Sequence, residues 1–144
     1  MTTNAKPRYL VLCTGNRCRS QMAEGWLRHF AGDRAEVFSA GTHPKGLHPL
    51  AVEVMAEAGV DISAHTSDHV SRYINEDFDC VITVCDSARE ACPIFPGARR
   101  TLHHSFTDPD APLPLQEQTQ LFRRIRDEIR DWAKAFVDAE ISRG

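Results

Sequence analysis

The stretch Val11-Leu12-Cys13-Thr14-Gly15-Asn16-Arg17-Cys18-Arg19-Ser20 decides how this chain is read. An apolar strand runs into a cysteine; a loop follows, then an arginine, a serine and the start of a helix. That order puts a thiol inside a cradle of backbone N–H groups at a helix N-terminus, which suits a tetrahedral oxyanion. The loop amides, the helix dipole and Arg19 are expected to pull the Cys13 thiol toward thiolate. Arg19 can clasp two oxygens of such an anion in a planar fork, which lysine cannot do equally well. Ser20 is expected to cap the helix and to offer a hydrogen bond to the thiolate. Gly15 is expected to turn the loop with positive φ, a region that Asn16 also tolerates. The reading is nucleophilic chemistry on a phosphate-like anion. Its plain alternative is a buried structural cysteine before a turn.

Outward from this loop, apolar runs and apolar stripes alternate. Residues 8–13, 36–40, 78–84 and 100–104 read as strands, the third continuous, as in a strand buried on both faces. Residues 20–31 read as a helix with Met22, Trp26 and Phe30 on one stripe, ended by Gly32. Residues 49–58 follow with Pro49 in the first turn, Thr66 is expected to open a helix to about Ile74, and residues 115–139 form a long amphipathic helix. Residues 86–92 fit either a short helix or a loop. This alternation predicts an α/β fold, a four-stranded parallel sheet flanked by helices on both faces, as one domain over 1–144. Ligands of such sheets sit beyond the carboxyl ends of the strands. Cys13, Cys85 and Asp108 each follow a strand, so they converge on one sheet edge.

Composition narrows the function further. A formal net charge of −3 gives no general attraction to nucleic acid or an anionic membrane. No stretch has signal-peptide or membrane-spanning character, so the cytoplasm is the default location. The odd number of cysteines, five, argues against a fully paired disulfide framework, so thiols or transient functional disulfides are expected. Zinc would need Cys13, Cys18, Cys80 and Cys85 to converge, whereas Cys80 should lie about 16 Å from Cys85 on the opposite sheet face. His65 and His69 lack a third ligand and are expected to face solvent.

The run CTGNRCRSQMAEGW, at 13–26, resembles the active-site loop of the low-molecular-weight protein tyrosine phosphatase superfamily, most of all its thioredoxin-coupled arsenate reductases. The resemblance covers essentially the whole chain. It implies Cys13 as nucleophile, with Thr14, Gly15, Asn16, Arg17, Cys18, Arg19 and Ser20 around the anion. Thr107-Asp108-Pro109-Asp110 resembles the family's DP loop, which implies Asp108 as general acid. Arg17 stands where relatives commonly hold a small or neutral residue. The aromatic residues that line a phosphotyrosine slot in the phosphatases are replaced by Asp110, Ala111 and Pro112.

Cys85 and Cys92 separate reductase from phosphatase. A reductase must supply two electrons, and a dithiol going to a disulfide supplies them. The resemblance implies that Cys13 attacks arsenate, Cys85 then attacks Cys13 and releases arsenite, and Cys92 moves the disulfide to Cys85–Cys92 for thioredoxin to reduce. Were 85–92 helical, the two cysteines would stand about 10 Å apart, beyond the reach of a disulfide, so the segment must rearrange. Some reductases of this type bind potassium beside the loop, and Asn16, Glu24, Ser39 and Asp68 match those positions; no tightly bound cofactor is otherwise expected. The alternatives are a phosphatase hydrolysing phosphomonoesters through a Cys13 phosphoenzyme, or a redox-sensing regulator without turnover.

Overall fold

The computed structural model describes residues 6–86 and 95–141; Cys92 and the ambiguous 87–92 segment lie outside them. Arg8–Cys13 forms β1, whose residues from Tyr9 onward are buried, as a strand covered on both faces must be. It is flanked by β2 (Glu36–Gly41) and β3 (Cys80–Thr83), and β4 (Thr101–His103) completes the sheet. All pairings are parallel, in the order β2-β1-β3-β4. The chain leaves β1 to one side and returns on the other, so a topological switch point falls at the carboxyl end of β1. Leu12 pairs with Thr83 there, which brings the ends of β1 and β3 side by side.

Helix α1 (Arg19–Ala31) follows β1 at once, α2 (Pro49–Glu57) follows β2, and α3 (Leu115–Glu140) closes the chain. On one sheet face Tyr9 meets Phe136 of α3 edge-on, with centroids 5.1 Å apart. The apolar stripe of α3, including Phe122, Ile125, Ile129 and Ala133, is fully buried. Its polar side is more than a solvated face: Arg123 and Arg126 both reach Glu57 of α2, at 2.7 and 3.1 Å. Trp26 of α1 donates its indole N–H to the Arg126 carbonyl. No helix among the described residues is long and apolar enough to cross a membrane.

The opposite face departs from expectation. The helix expected from Thr66 to Ile74 is only a single 3-10 turn, Val70–Arg72. This stretch is spent on local polar bonds instead: Thr66 Oγ1 donates to Asp68, and His69 Nδ1 accepts from Ser71 N–H. Such side-chain bonds compete with a helix. Tyr73 and Phe78 then cover Phe38 of β2, at 5.5 and 6.2 Å between centroids.

Gly41, the last residue of β2, sets how closely the loop after β1 can approach. A Cβ there would stand 2.6 Å from the Thr14 carbonyl oxygen and 2.9 Å from Asn16 N. Both are backbone atoms and neither can swing aside. Gly41→Ala is therefore expected to cost about 1–3 kcal/mol and to lower Tm by roughly 2–12 °C, as thermal denaturation will read.

Candidate active site

The loop from Cys13 to Arg19 turns its carbonyls outward. The Thr14, Gly15 and Arg17 carbonyls accept from the N–H groups of His43, Lys45 and His48, at 2.8, 2.9 and 3.1 Å. The Asn16 carbonyl accepts from the Gln21 amide and the Ser67 hydroxyl. With its acceptors occupied outside, the loop leaves its N–H groups for the inner side, where the Gly15 N–H hydrogen-bonds Cys13. The enclosed cavity, about 140 Å³, is lined by Cys13, Thr14, Gly15, Arg17, Cys18, Arg19, Lys45, Asp108 and Asp110. A larger cleft of about 660 Å³ opens elsewhere, around Lys6–Arg8, 77–79 and 96–99, but no cysteine among the described residues lines it.

Two local expectations change. The positive φ falls on Asn16 (46°), not on Gly15. Asn16 sustains it because its side chain is bonded throughout: Oδ1 accepts from Asp68 N–H, and Nδ2 donates to Ser20 and Ser39 hydroxyls. Ser20 does not cap α1, which begins at Arg19 with Cys18 in the cap position and no side-chain cap bond. No hydrogen bond joins Ser20 to Cys13; fully buried, it braces Asn16 instead.

Arg19 is the cation of the pocket. One terminal nitrogen donates to the Phe106 carbonyl at 3.1 Å, and the other lies 3.5 Å from the Asp108 carboxylate. Its Nε is the buried side-chain polar atom left without a hydrogen-bond partner among the described residues. An unpartnered buried donor beside a cradle of N–H groups is complementary to an anion's oxygen.

Cys13 and Cys85 are each 3% exposed, and their side chains hydrogen-bond to one another. Thr14 Oγ1 lies 3.4 Å from Cys85 Sγ. The expected fall in the Cys13 pKa is reversed in this arrangement. The bond to Cys85, and then burial, push the thiol up and outweigh the pull of Arg19 and the Gly15 N–H. Two sulfurs in contact lose their second proton with difficulty, because the resulting charges repel. Cys18, also at the pocket wall, is pushed up to about 12, mainly by burial. Cys80 is fully buried at the start of β3 and, with its pKa raised to about 11 mainly by burial, stays outside the pocket.

Asp108 Oδ1 accepts from the Asp110 N–H at 2.9 Å, which orients its carboxylate toward Arg19. Asp110 is held by Arg17 Nε at 3.3 Å, and His48 Nε2 lies 3.4 Å away. His48 escaped the sequence reading, although its place immediately before Pro49 is a helix-start signal.

The four positions matched to a cation site do come together. Ser39 donates to Glu24 at 2.6 Å and accepts from Asn16, whose Oδ1 takes the Asp68 N–H. Glu24, Ser39 and Asp68 line a cavity of about 300 Å³ that Asn16 does not. Burial raises the Glu24 pKa, yet its carboxylate already pairs with Arg28 at 2.8 Å, and Asp68 pairs with Arg72 at 2.9 Å. Two largely exposed guanidinium groups thus supply positive charge beside these oxygens. His65 is not solvent-facing. Its Nδ1 meets Gln21 Oε1 at 3.0 Å, and burial holds its pKa down to about 4. Although Glu24 lies 3.7 Å away, its oxygens are committed to Ser39 and Arg28.

The low molecular weight phosphotyrosine protein phosphatase family model matches residues 8–144. An arsenate reductase of Halalkalibacterium halodurans is 44% identical over 128 residues, covering 88% of this chain and 92% of that protein. A solved arsenate reductase in the phosphate-binding state superposes with a TM-score of 0.80 at 28% identity, over 92% of this chain and 98% of the other. A thioredoxin-dependent arsenate reductase of Corynebacterium glutamicum gives 0.65 at 30% identity, over 96% of this chain and 66% of its own length. The chain belongs to the low molecular weight phosphotyrosine protein phosphatase family, and within it stands with relatives named arsenate reductase.

Proposed function

We propose that this protein reduces arsenate to arsenite through a three-cysteine relay, Cys13, Cys85 and Cys92, that thioredoxin recycles. The observation that carries the reading is the hydrogen bond between Cys85 and Cys13, the cysteine that lines an anion-sized cavity. Hydrolysis of a phosphoenzyme has no use for a second thiol against the nucleophile; a two-electron reduction requires one.

Arsenate sits in the cradle of residues 14–20, with an oxygen on the unpartnered Arg19 Nε. As arsenate binds, Cys13 hands its proton to the oxyanion, and the thiolate charge so formed faces Arg19 and the Gly15 N–H. The Cys13 thiolate attacks arsenic; an S–As bond forms, and an oxygen protonated by Asp108 departs as water. The Cys85 thiolate then attacks the Cys13 sulfur. The S–As bond breaks with its electron pair going to arsenic, so As(V) becomes As(III) and the two thiols become a disulfide. Cys92 attacks Cys85, freeing Cys13, and a thioredoxin dithiol reduces the Cys85–Cys92 bond.

The stoichiometry tests this directly. With arsenate in excess and no reductant, two of the five thiols are expected to disappear per molecule, and none in Cys13→Ser. Retention of all thiols, together with hydrolysis of an aryl phosphate, would replace the reductase with a phosphatase.

A further inference from the structure

His48 is buried, titratable and without a part in the relay. Its place is set from three sides. Its ring lies over Phe122 of α3, at 4.8 Å between centroids. Its backbone N–H donates to the Arg17 carbonyl of the anion loop. Its Nδ1 accepts from the Leu50 N–H at 3.0 Å, capping α2. An accepting Nδ1 fixes the neutral tautomer, so the ring proton sits on Nε2, 3.4 Å from Asp110 Oδ1. Burial, with Arg17 nearby, lowers the His48 pKa and keeps the ring in that neutral form.

Cys18 Sγ, His48 Nε2 and an Asp110 oxygen lie within 4.8 Å of one another, a set that suggests a divalent metal. The tautomer rules against it. A metal at Nε2 would force the proton onto Nδ1, against the Leu50 N–H that it now accepts. The Nε2 proton is better matched to the Asp110 carboxylate, which Arg17 and Gln118 also hold, at 3.3 and 3.4 Å.

We propose that His48 is a positioning residue: with Arg17 it latches Asp110, and through the Asp110 N–H it holds Asp108 beside Arg19 at the mouth of the Cys13 pocket. Pro109 is buried, but the Asp108 side chain is 54% accessible, and the DP loop contains no helix or strand to stiffen it. Holding the proton donor in place before substrate arrives removes an ordering cost from the chemical step. For the reaction at Cys13 the inference rests on the arsenate reading; the latch itself does not.

His48→Asn separates the latch from the helix cap. The asparagine carbonyl still accepts from the Leu50 N–H, as a good N-cap does, but is too short to reach Asp110. In the full-length protein, hydrogen exchange across residues 107–113 is expected to accelerate about tenfold, with exchange across α2 unchanged. In thioredoxin-coupled arsenate turnover kcat is expected to fall about tenfold, with KM within about twofold. Asp110→Asn, an exposed substitution that does not threaten folding, is expected to do the same. The double variant is expected to lose no more than either single one. Unchanged exchange in both single variants, or losses that multiply in the double one, would overturn the latch. Absence of arsenate turnover in the wild type would sink the reduction reading, while the exchange measurement would still decide the latch.

Discussion

Arg19→Lys is expected to lower kcat/KM for arsenate by about 10²- to 10³-fold, the cost of removing one preorganised oxyanion donor. The guanidinium serves three directions at once: the Phe106 carbonyl, the Asp108 carboxylate and, through its unpartnered Nε, the cavity. A lysine ammonium is a single point on a flexible stem and cannot hold that planar arrangement. The charge is retained, so a simple electrostatic role for Arg19 would predict a small effect. Steady-state kinetics over a range of arsenate concentrations, with inorganic phosphate as a competing anion, separate the two. A large loss with weakened phosphate inhibition supports the fork, and near-wild-type values refute it.

Cys85→Ala is expected to abolish sustained arsenite production, leaving only the background of the assay. Cys85 is the sulfur already in contact with Cys13, so its removal leaves the S–As adduct without the thiol poised to displace it. The same substitution removes the contact that does most to push the Cys13 thiol up, so Cys13 is expected to alkylate faster at neutral pH. Lost turnover with faster alkylation at an unchanged Tm separates this effect from misfolding, which would also expose the buried Cys13. Slower alkylation of Cys13 would show that the contact with Cys85 activates it instead.

These two sites differ in how far the sequence alone revealed them. The Cys13–Arg19 loop was legible because everything it needs is local: a strand, a turn and a helix start within a few residues. The convergence of Cys85 and Asp108 on the same edge followed from the parallel sheet, and the switch point at the end of β1 places Cys85 against Cys13. The long helix α3 was readable from its stripe to within a residue or two. What escaped depended on contacts distant in sequence. Thr66–Ile74 was expected to be helical with Thr66 opening it, but Asp68 and His69 spend their side chains on neighbouring hydrogen-bonding groups. The positive φ passed from Gly15 to Asn16 because Ser20, Ser39 and Asp68 bind its amide. The Cys13 thiol moved up rather than down because the loop's favourable field was counted without Cys85. His48 drew no notice because its role needs Asp110, far along the chain.

The relay as a whole turns on Cys92, and its most direct test is arsenate-dependent NADPH oxidation with thioredoxin and thioredoxin reductase, comparing wild type with Cys92→Ser. Sustained oxidation is expected from the wild type, and none beyond a single turnover from the variant. Sustained oxidation by Cys92→Ser at the wild-type rate, or no arsenate-dependent oxidation by the wild type, would contradict the relay.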